Sequence, residues 1–182
     1  VRLAHREVEV ETASGIFSPG RIDLGTEVLL RSVPDPPADG DLLDLGCGWG
    51  PIALTLAMAA PAATVWAVDV NERALDLTRR NAERLGLANV RAVTPGGVPD
   101  AVRLAAIWSN PPIRVGKDAL HTMLRDWLER LAPGGEAYLV VQRNLGSDPL
   151  HRWLDERVAD GELGGGSVER AASAKGYRVL RV

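Results

Sequence analysis

From residue 41 onward the chain alternates short apolar runs with longer segments in which apolar residues recur at helical spacing. The runs "DLLDLG", "TVWAVDV", "NVRAV", "LAAIWS" and "EAYLVVQ" are nearly continuous, which is the pattern of strands buried on both faces. Between them, "PIALTLAMAA", "ERALDLTRRNAERLG", "KDALHTMLRDWLERL" and "DPLHRWLDERV" read as helices. This alternation predicts βαβ units, hence an α/β fold with a mostly parallel sheet and helices on both faces. The closing "SVERAASAKGYRVLRV" is two β-rich runs about Lys175-Gly176, a two-residue turn that predicts an antiparallel hairpin closing the sheet edge.

The first 40 residues differ. "REVEVETASGIFS" alternates polar and apolar residues and breaks at Ser14-Gly15, which predicts a short hairpin. "DLGTEVLLRSV" predicts a short helix with Thr26 as its N-cap, ended by "PDPPADG". That Pro-rich stretch is too short for a flexible linker, so one domain is expected over 1–182: an extension of hairpin and helix over 1–40 and a core over 41–182. "GELGGGS" reads as a loop.

A formal net charge of −3 argues against a globally basic nucleic-acid binder and leaves only local basic patches. One cysteine, Cys47, excludes an intrachain disulfide, and nothing resembles a secretory signal or an apolar span of ~20 residues. A cytoplasmic protein without a membrane partner is therefore expected. His5, His121 and His151 are scattered with no second ligand at metal spacing, so no metal site is expected.

The chemistry concentrates in two stretches. In "DLLDLGCGWGP", Gly46, Gly48 and Gly50 follow a strand and precede a helix, where glycines allow a tight bend and close approach of a ligand. Asp69, at the end of the next strand, is placed to accept hydrogen bonds from ribose hydroxyls. A dinucleotide fingerprint would need glycine at 51, where this chain has Pro51. The alternative is a nucleoside carrying an amino acid, because Asp44 repels a pyrophosphate and attracts an ammonium group. S-adenosylmethionine is such a ligand. Cys47 and Trp49 read as packing residues, since a thiol beside Asp44 lacks the cationic surroundings that activate cysteine.

The second stretch is "WSNPPIRVGK". Proline fixes its φ, donates no hydrogen bond and biases its predecessor away from helix, so Asn110-Pro111-Pro112 forms a stiff loop at a strand end. Ligands of doubly wound sheets sit at such ends. Acceptors from the Asn110 side chain and the Pro111 carbonyl would hold both N–H bonds of an exocyclic amine and aim its lone pair at a sulfonium methyl group.

"DLGCGWG", "VDVN", "SNPPIRVGK" and "KGYRVL" together resemble class I S-adenosylmethionine-dependent methyltransferases of the small-domain family, and "FSPGRIDLGT" resembles the family's segment ahead of the cofactor strand. The resemblance implies a seven-stranded sheet whose last strand is antiparallel, and methylation of an exocyclic nucleobase amine, with guanine N2 of small-subunit ribosomal RNA the expected target. The expected cofactor contacts are Asp44, Gly46, Cys47, Gly48, Gly50, Asp69, Val70 and Asn110; Asn110, Pro111 and Pro112 would position the amine. The acid that many relatives carry after the third strand, against the adenine amine, is replaced by "VTPGGVPD". Ile113 stands where an aromatic often stacks on the target base, which leaves Phe17 or Trp49 as candidates. Arg114, Lys117, Arg143 and Lys175 fall in loops on the strands' carboxyl rim, with Arg21 close by, and are expected to contact RNA together with Ile113. Other expectations are a small metabolite or protein amide as acceptor, or a non-catalytic cofactor-binding module in ribosome assembly.

Overall fold

Continuous apolar runs become strands because both of their faces are covered. The computed structural model describes residues 1–13, 15, 21–163 and 166–182. Its elements are β1 (Arg2–Leu3), β2 (Arg6–Glu7), α1 (Leu24–Ser32), β3 (Asp41–Leu45), α2 (Pro51–Ala59), β4 (Thr64–Val68), α3 (Glu72–Arg84), β5 (Val90–Val93), β6 (Leu104–Ser109), α4 (Lys117–Leu128), β7 (Leu131–Gln142), α5 (Ser147–Ala159), β8 (Glu169–Ala174) and β9 (Tyr177–Arg181).

The main sheet has seven strands in the order β5-β4-β3-β6-β7-β9-β8. The pairs within β5-β4-β3-β6-β7 are parallel, and β9 is antiparallel to both β7 and β8. The last strand therefore inserts between β7 and β8, and β8 is the edge. Lys175 (φ 49°) and Gly176 (φ 81°) make the two-residue turn between them.

Alternate residues of each strand feed two cores. Leu42, Val65, Ala67, Ala106, Trp108, Tyr138 and Val140 pack under α1, α2 and Leu75 of α3. Leu43, Leu45, Ile107, Ala137, Leu139 and Val141 pack under α4 and α5. Residues as enclosed as Leu42, Leu43, Ile107 and Leu139, all 0% exposed, stabilise the fold by roughly 1.5–3 kcal/mol each relative to exposure.

A short N-terminal hairpin is present, but it is formed by earlier residues than the alternation suggests. β1 pairs with β2 across Ala4-His5, both at positive φ, while Ser14 of the expected break lies outside the described residues. Residues 8–13 instead lie along α3, where Glu9 pairs with Arg84 and Asn81 bonds both the N–H and the carbonyl of Glu11. Helix α1 is capped by Asp23 rather than Thr26: the carboxylate accepts from Gly25 N (2.9 Å) and Thr26 N (3.3 Å), so Thr26 falls inside the first turn. Strand β7 also starts earlier than "EAYLVVQ", because Leu131 bridges Leu104 before the ladder resumes at Glu136. Gly164 and Gly165 of "GELGGGS", and "FSPG" ahead of Arg21, lie outside the described residues.

Connections run outward in opposite directions from β3 and β6, so strand order reverses between these two neighbours. The crevice beyond their carboxyl ends is where open α/β sheets bind ligands. Both chemically marked stretches leave the sheet there, one from each strand. No described helix is long and apolar enough to cross a membrane.

Candidate active site

The glycine loop is hooked over the end of β4 by its backbone. Gly46 N and Cys47 N both donate to Val68 O, at 2.8 and 3.0 Å. Gly46, Gly48 and Gly50 have φ of 81°, 56° and 98°, a region that disfavours side chains. At Gly50 the space is also closed, since an added Cβ would lie 3.0 Å from Thr78 Oγ1. At Gly48 nothing lies within 4 Å of an added Cβ, so this part of the loop is bare toward the rim.

Three side chains from outside the loop hold it. Asp69 Oδ2 accepts from Gly48 N (3.0 Å) and its Oδ1 from Asn71 N (2.9 Å), leaving a lone pair on each oxygen for a further donor. Thr78 Oγ1 donates to Gly48 O, and Asn81 Nδ2 donates to Trp49 O, each at 3.0 Å. Thr78 and Asn81 were not singled out from the sequence. Their signal was present: two polar residues one turn apart on the apolar face of α3, which the fold leaves 0% exposed. Val70 follows Asp69 and is 83% exposed, an apolar surface at the same rim.

Asp44 is enclosed in β3. Its Oδ2 accepts from Ala53 N of α2 (2.8 Å), and its Oδ1 is buried with no hydrogen-bond partner among the described residues. Burial pushes its pKa up to about 8; the Ala53 N–H opposes this and the Asp69 charge adds to it. An unpaired buried carboxyl oxygen is costly unless it is protonated or meets a cation. Cys47 sends its thiol into the core beside Thr78, where burial, followed by the charges of Asp44 and Asp69, raises its pKa well above the ordinary thiol value. Only the Cys47 backbone belongs to the loop surface.

The Asn-Pro-Pro loop leaves β6 directly beside the glycine loop. Ser109, the last residue of β6, donates from Oγ to Leu45 O at 2.7 Å and ties the two strand ends together. An added Cβ on Gly46 would lie 3.8 Å from Pro112 Cδ and 4.0 Å from Asn110 O, filling the space between the loops. Pro112 (φ −74°, ψ 78°) is the centre of an inverse γ-turn in which Ile113 N donates to Pro111 O at 2.8 Å. That bond occupies one lone pair of the Pro111 carbonyl and leaves the other.

Two residues ahead of the sheet reach this loop. Asn110 Nδ2 donates to Asp23 Oδ1 (3.0 Å) and to Thr26 Oγ1 (3.1 Å), while no described residue donates to Asn110 Oδ1. Neither contact was anticipated, because 84 and 87 residues separate the partners.

The stacking candidates are revised. Trp49 is 2% exposed and packs with Leu3, Leu54 and Ala74, so it cannot stack on a base. Phe17 lies outside the described residues. Ile113 is half-buried and packs against the core under α4. Arg114, Lys117 and Arg143 are exposed on the carboxyl rim without an ion pair to a described residue, beside exposed Val115 (54%) and Leu145 (46%). Lys175 shares that rim but its Nζ lies 3.4 Å from Glu27, so its charge is partly neutralised. His121 stacks on Trp153, His151 faces Asp155, and no metal-holding group of His, Cys, Asp and Glu occurs among the described residues.

This arrangement offers a bare loop with a buried carboxyl behind it, a rim carboxylate with spare lone pairs, and two neutral acceptors on a stiff neighbouring loop. The chain has relatives among known proteins. The uncharacterized protein YbxB of Bacillus subtilis is 34% identical over 183 residues, covering 99% of this chain and 88% of that protein. Ribosomal RNA small subunit methyltransferase C of Hahella chejuensis is 38% identical over 155 residues, covering 83% of this chain and 44% of the relative. Among solved structures, the T. thermophilus 16S rRNA N2 G1207 methyltransferase (RsmC), in complex with AdoMet and guanosine, superimposes with a TM-score of 0.82 at 26% identity, covering 100% of this chain and 48% of that one. The chain thus spans about half the length of the ribosomal RNA methyltransferases it matches. The methyltransferase small domain model matches residues 7–181, and the chain belongs to that family.

Proposed function

We propose that this chain is an S-adenosylmethionine-dependent N-methyltransferase that acts on the exocyclic amine, N2, of a guanine in small-subunit ribosomal RNA. The observation that carries the reading is the adjacency of Gly46 and Asn110–Pro112 across the crevice between β3 and β6, so close that a Cβ added to Gly46 would lie 3.8 Å from Pro112 Cδ and 4.0 Å from Asn110 O. The residues present fit the cofactor: Asp44 Oδ1 is an orphaned acceptor suited to an ammonium group, the bare glycine backbone admits close approach, and Asp69 retains lone pairs for ribose hydroxyls beside apolar Val70. The RsmC structure holding AdoMet and guanosine supports both ligand classes.

S-adenosylmethionine supplies a sulfonium methyl, which passes to the nitrogen lone pair as the C–S bond breaks and the sulfur keeps the electron pair, the nitrogen then shedding a proton. The chain's part is orientation. Asn110 Oδ1 and the remaining lone pair of Pro111 O accept the two N–H bonds, which turns the lone pair toward the methyl group and stabilises the positive charge as it grows on nitrogen. Such alignment supplies roughly 7–11 kcal/mol of barrier reduction. The paired prolines keep the loop from yielding. Arg114, Lys117 and Arg143 would take phosphates, with Val115 and Leu145 offering apolar surface to neighbouring bases, which gives an acidic protein a local and salt-dependent grip.

Calorimetry with S-adenosylmethionine, followed by transfer of labelled methyl to unmodified small ribosomal subunits, tests the reading. Asn110→Ala is expected to keep cofactor affinity and lose about 10²-fold or more in turnover, as loss of an aimed dipole does elsewhere. Full activity in that variant would overturn the mechanism. The half-buried Ile113, which leaves the loop without the usual aromatic, favours a second acceptor class, a small metabolite or protein amide. Label recovered in protein or small molecules rather than RNA would assign it.

A further inference from the structure

We propose that Asp23 and Thr26 are positioning residues that set which way round the Asn110 amide sits, and thereby restrict the methyl acceptor to a nitrogen that still carries hydrogen. The proposal rests on the reaction proposed above for the identity of the acceptor, and on geometry alone for the orientation.

An asparagine amide is nearly symmetric in shape, but its two ends are opposite in chemistry: Nδ2 carries two donors and Oδ1 accepts. A flip would therefore turn an acceptor into a donor at the same place. Here both Nδ2 hydrogens are engaged, one by Asp23 Oδ1 at 3.0 Å and one by Thr26 Oγ1 at 3.1 Å. A hydroxyl serves either end of an amide, but an ionised carboxylate only accepts. Asp23 is thus the group that reads the amide. Flipped, Asn110 would set its carbonyl oxygen against the Asp23 oxygen at hydrogen-bond distance with no hydrogen between them.

The reader is itself held. The same Asp23 Oδ1 accepts from Gly25 N and Thr26 N at the start of α1, so the carboxylate has one position. Thr26 is 3% exposed. Gly25 lies so close to Tyr177 that an added Cβ would sit 2.9 Å from its Cε1, and Lys175 pairs with Glu27 one turn on. The start of α1 is therefore seated on the β8–β9 turn, and through it Asn110 is referenced to the far half of the sheet.

Capping alone does not explain this arrangement, because the bonds to Gly25 N and Thr26 N already satisfy the helix. The additional bonds to Asn110 leave its Oδ1 without a described donor, and with the spare lone pair of Pro111 O the loop presents two acceptors and no donor. A carbonyl oxygen or a bare ring nitrogen would face like-signed dipoles there. An amine or amide NH2 group meets both.

The test reads the amide directly. In the folded full chain, the Asn110 side-chain ¹H–¹⁵N signals are identified by their loss in Asn110→Asp, and their exchange with water is compared with that of exposed Asn144. Both Asn110 protons are expected to exchange at least tenfold more slowly than those of Asn144. Thr26→Val is expected to release one of them to the exposed rate, and Thr26→Ser to restore it. Turnover should follow: at least a tenfold loss in Thr26→Val and in Asp23→Ser, whose hydroxyl caps α1 but accepts a flipped amide, with cofactor Kd within twofold and recovery in Thr26→Ser. Exchange at the exposed rate in the wild type, or no change in Thr26→Val, would overturn the clamp. Equal losses in Thr26→Val and Thr26→Ser, or turnover falling only in step with cofactor affinity and thermal stability, would reduce it to a structural contact. Protected protons in a wild type that methylates no nitrogen would instead overturn the reaction and the restriction on its acceptor.

Discussion

Asp44 is enclosed by the fold, with one oxygen on Ala53 N and the other without a hydrogen-bond partner among the described residues. Desolvation is the largest influence on it, so the ligand-free protein holds a proton there that the unfolded chain sheds near 3.8, and keeps it to about 8. Between those values the folded state binds more protons than the unfolded one, so stability is fully present below the lower value and is lost as pH rises through the upper one. Other perturbed groups act outside part of this window. His121 is held below 6.5, by partial burial first and by Lys117 next, so its linkage acts under that pH. Cys47 is raised above 9.0, and Tyr138 is raised from 10.0 to about 12, by burial first and by its bond to Glu136 next. The interval from 6.5 to 8 therefore isolates Asp44, and at about 1.4 kcal/mol per pH unit it is worth about 2 kcal/mol. Urea unfolding of the ligand-free protein at four pH values across this interval is expected to show that decline. Asp44→Asn, which keeps an acceptor for Ala53 N and removes the titration, is expected to flatten it. Stability that rises with pH in the wild type, or falls equally in both proteins, would refute the reasoning. On the proposed reading an ammonium group brought to Oδ1 returns the carboxyl to its charged form, so cofactor binding near pH 7 should release a proton, read by calorimetry in buffers of different ionisation heat.

Gly50→Ala combines φ 98° with a Cβ 3.0 Å from Thr78 Oγ1, whereas Gly48→Ala at φ 56° meets nothing within 4 Å. Urea unfolding should find the first costing about 2–3 kcal/mol and the second nearer 1 kcal/mol. Cys47 is expected to resist iodoacetamide in the native protein and to react only on unfolding; labelling at neutral pH without loss of the folded signal would contradict its burial. Replacing Arg114 and Arg143 together with Ala should reduce the salt slope of RNA binding by about 1.4, at about 0.7 per phosphate contact with single strands. Lys175→Ala should change it less, because Glu27 already faces that ammonium.

Most of the fold was legible because buried strands and amphipathic helices leave opposite periodicities, and because Gly, Pro and Lys175-Gly176 punctuate them. The sequence also located the two loops, whose neighbourhood follows from the switch in strand order. What it did not disclose were the side chains that hold these loops. Thr78 and Asn81 look like ordinary polar residues of a helix until that helix is laid against the glycine loop, and Asp23 looks like a mere cap until β6 arrives beside it. Trp49 packs, as one of its two readings had it, and the other reading, a stacking platform beside a binding loop, fails because the positive φ values on either side turn it into the core. The turn was misplaced because alternation continues past Val8, the last residue bonded across the hairpin, into residues 9–11, where Glu9 and Glu11 bond to α3 instead.

The groups gathered at the crevice come from separate parts of the chain: the cap of α1, the ends of β3, β4 and β6, and the buried face of α3. None of those proposed to face the acceptor nitrogen, the Asn110 amide and the Pro111 carbonyl, titrates. Each is oriented by a bond to another element, Asn110 by Asp23 and Thr26, Pro111 by Ile113 N. Asp44, which burial holds up to about 8, is sealed behind the glycine backbone on the side proposed for the cofactor. That division suits methyl transfer to an amine, which loses its proton only after the bond to carbon has formed and so needs aimed acceptors more than a base. On the proposed reading pH acts on such a site through cofactor occupancy more than through the transfer step, because Asp44, which burial holds up to about 8, would lie on the cofactor's side and not beside the amine.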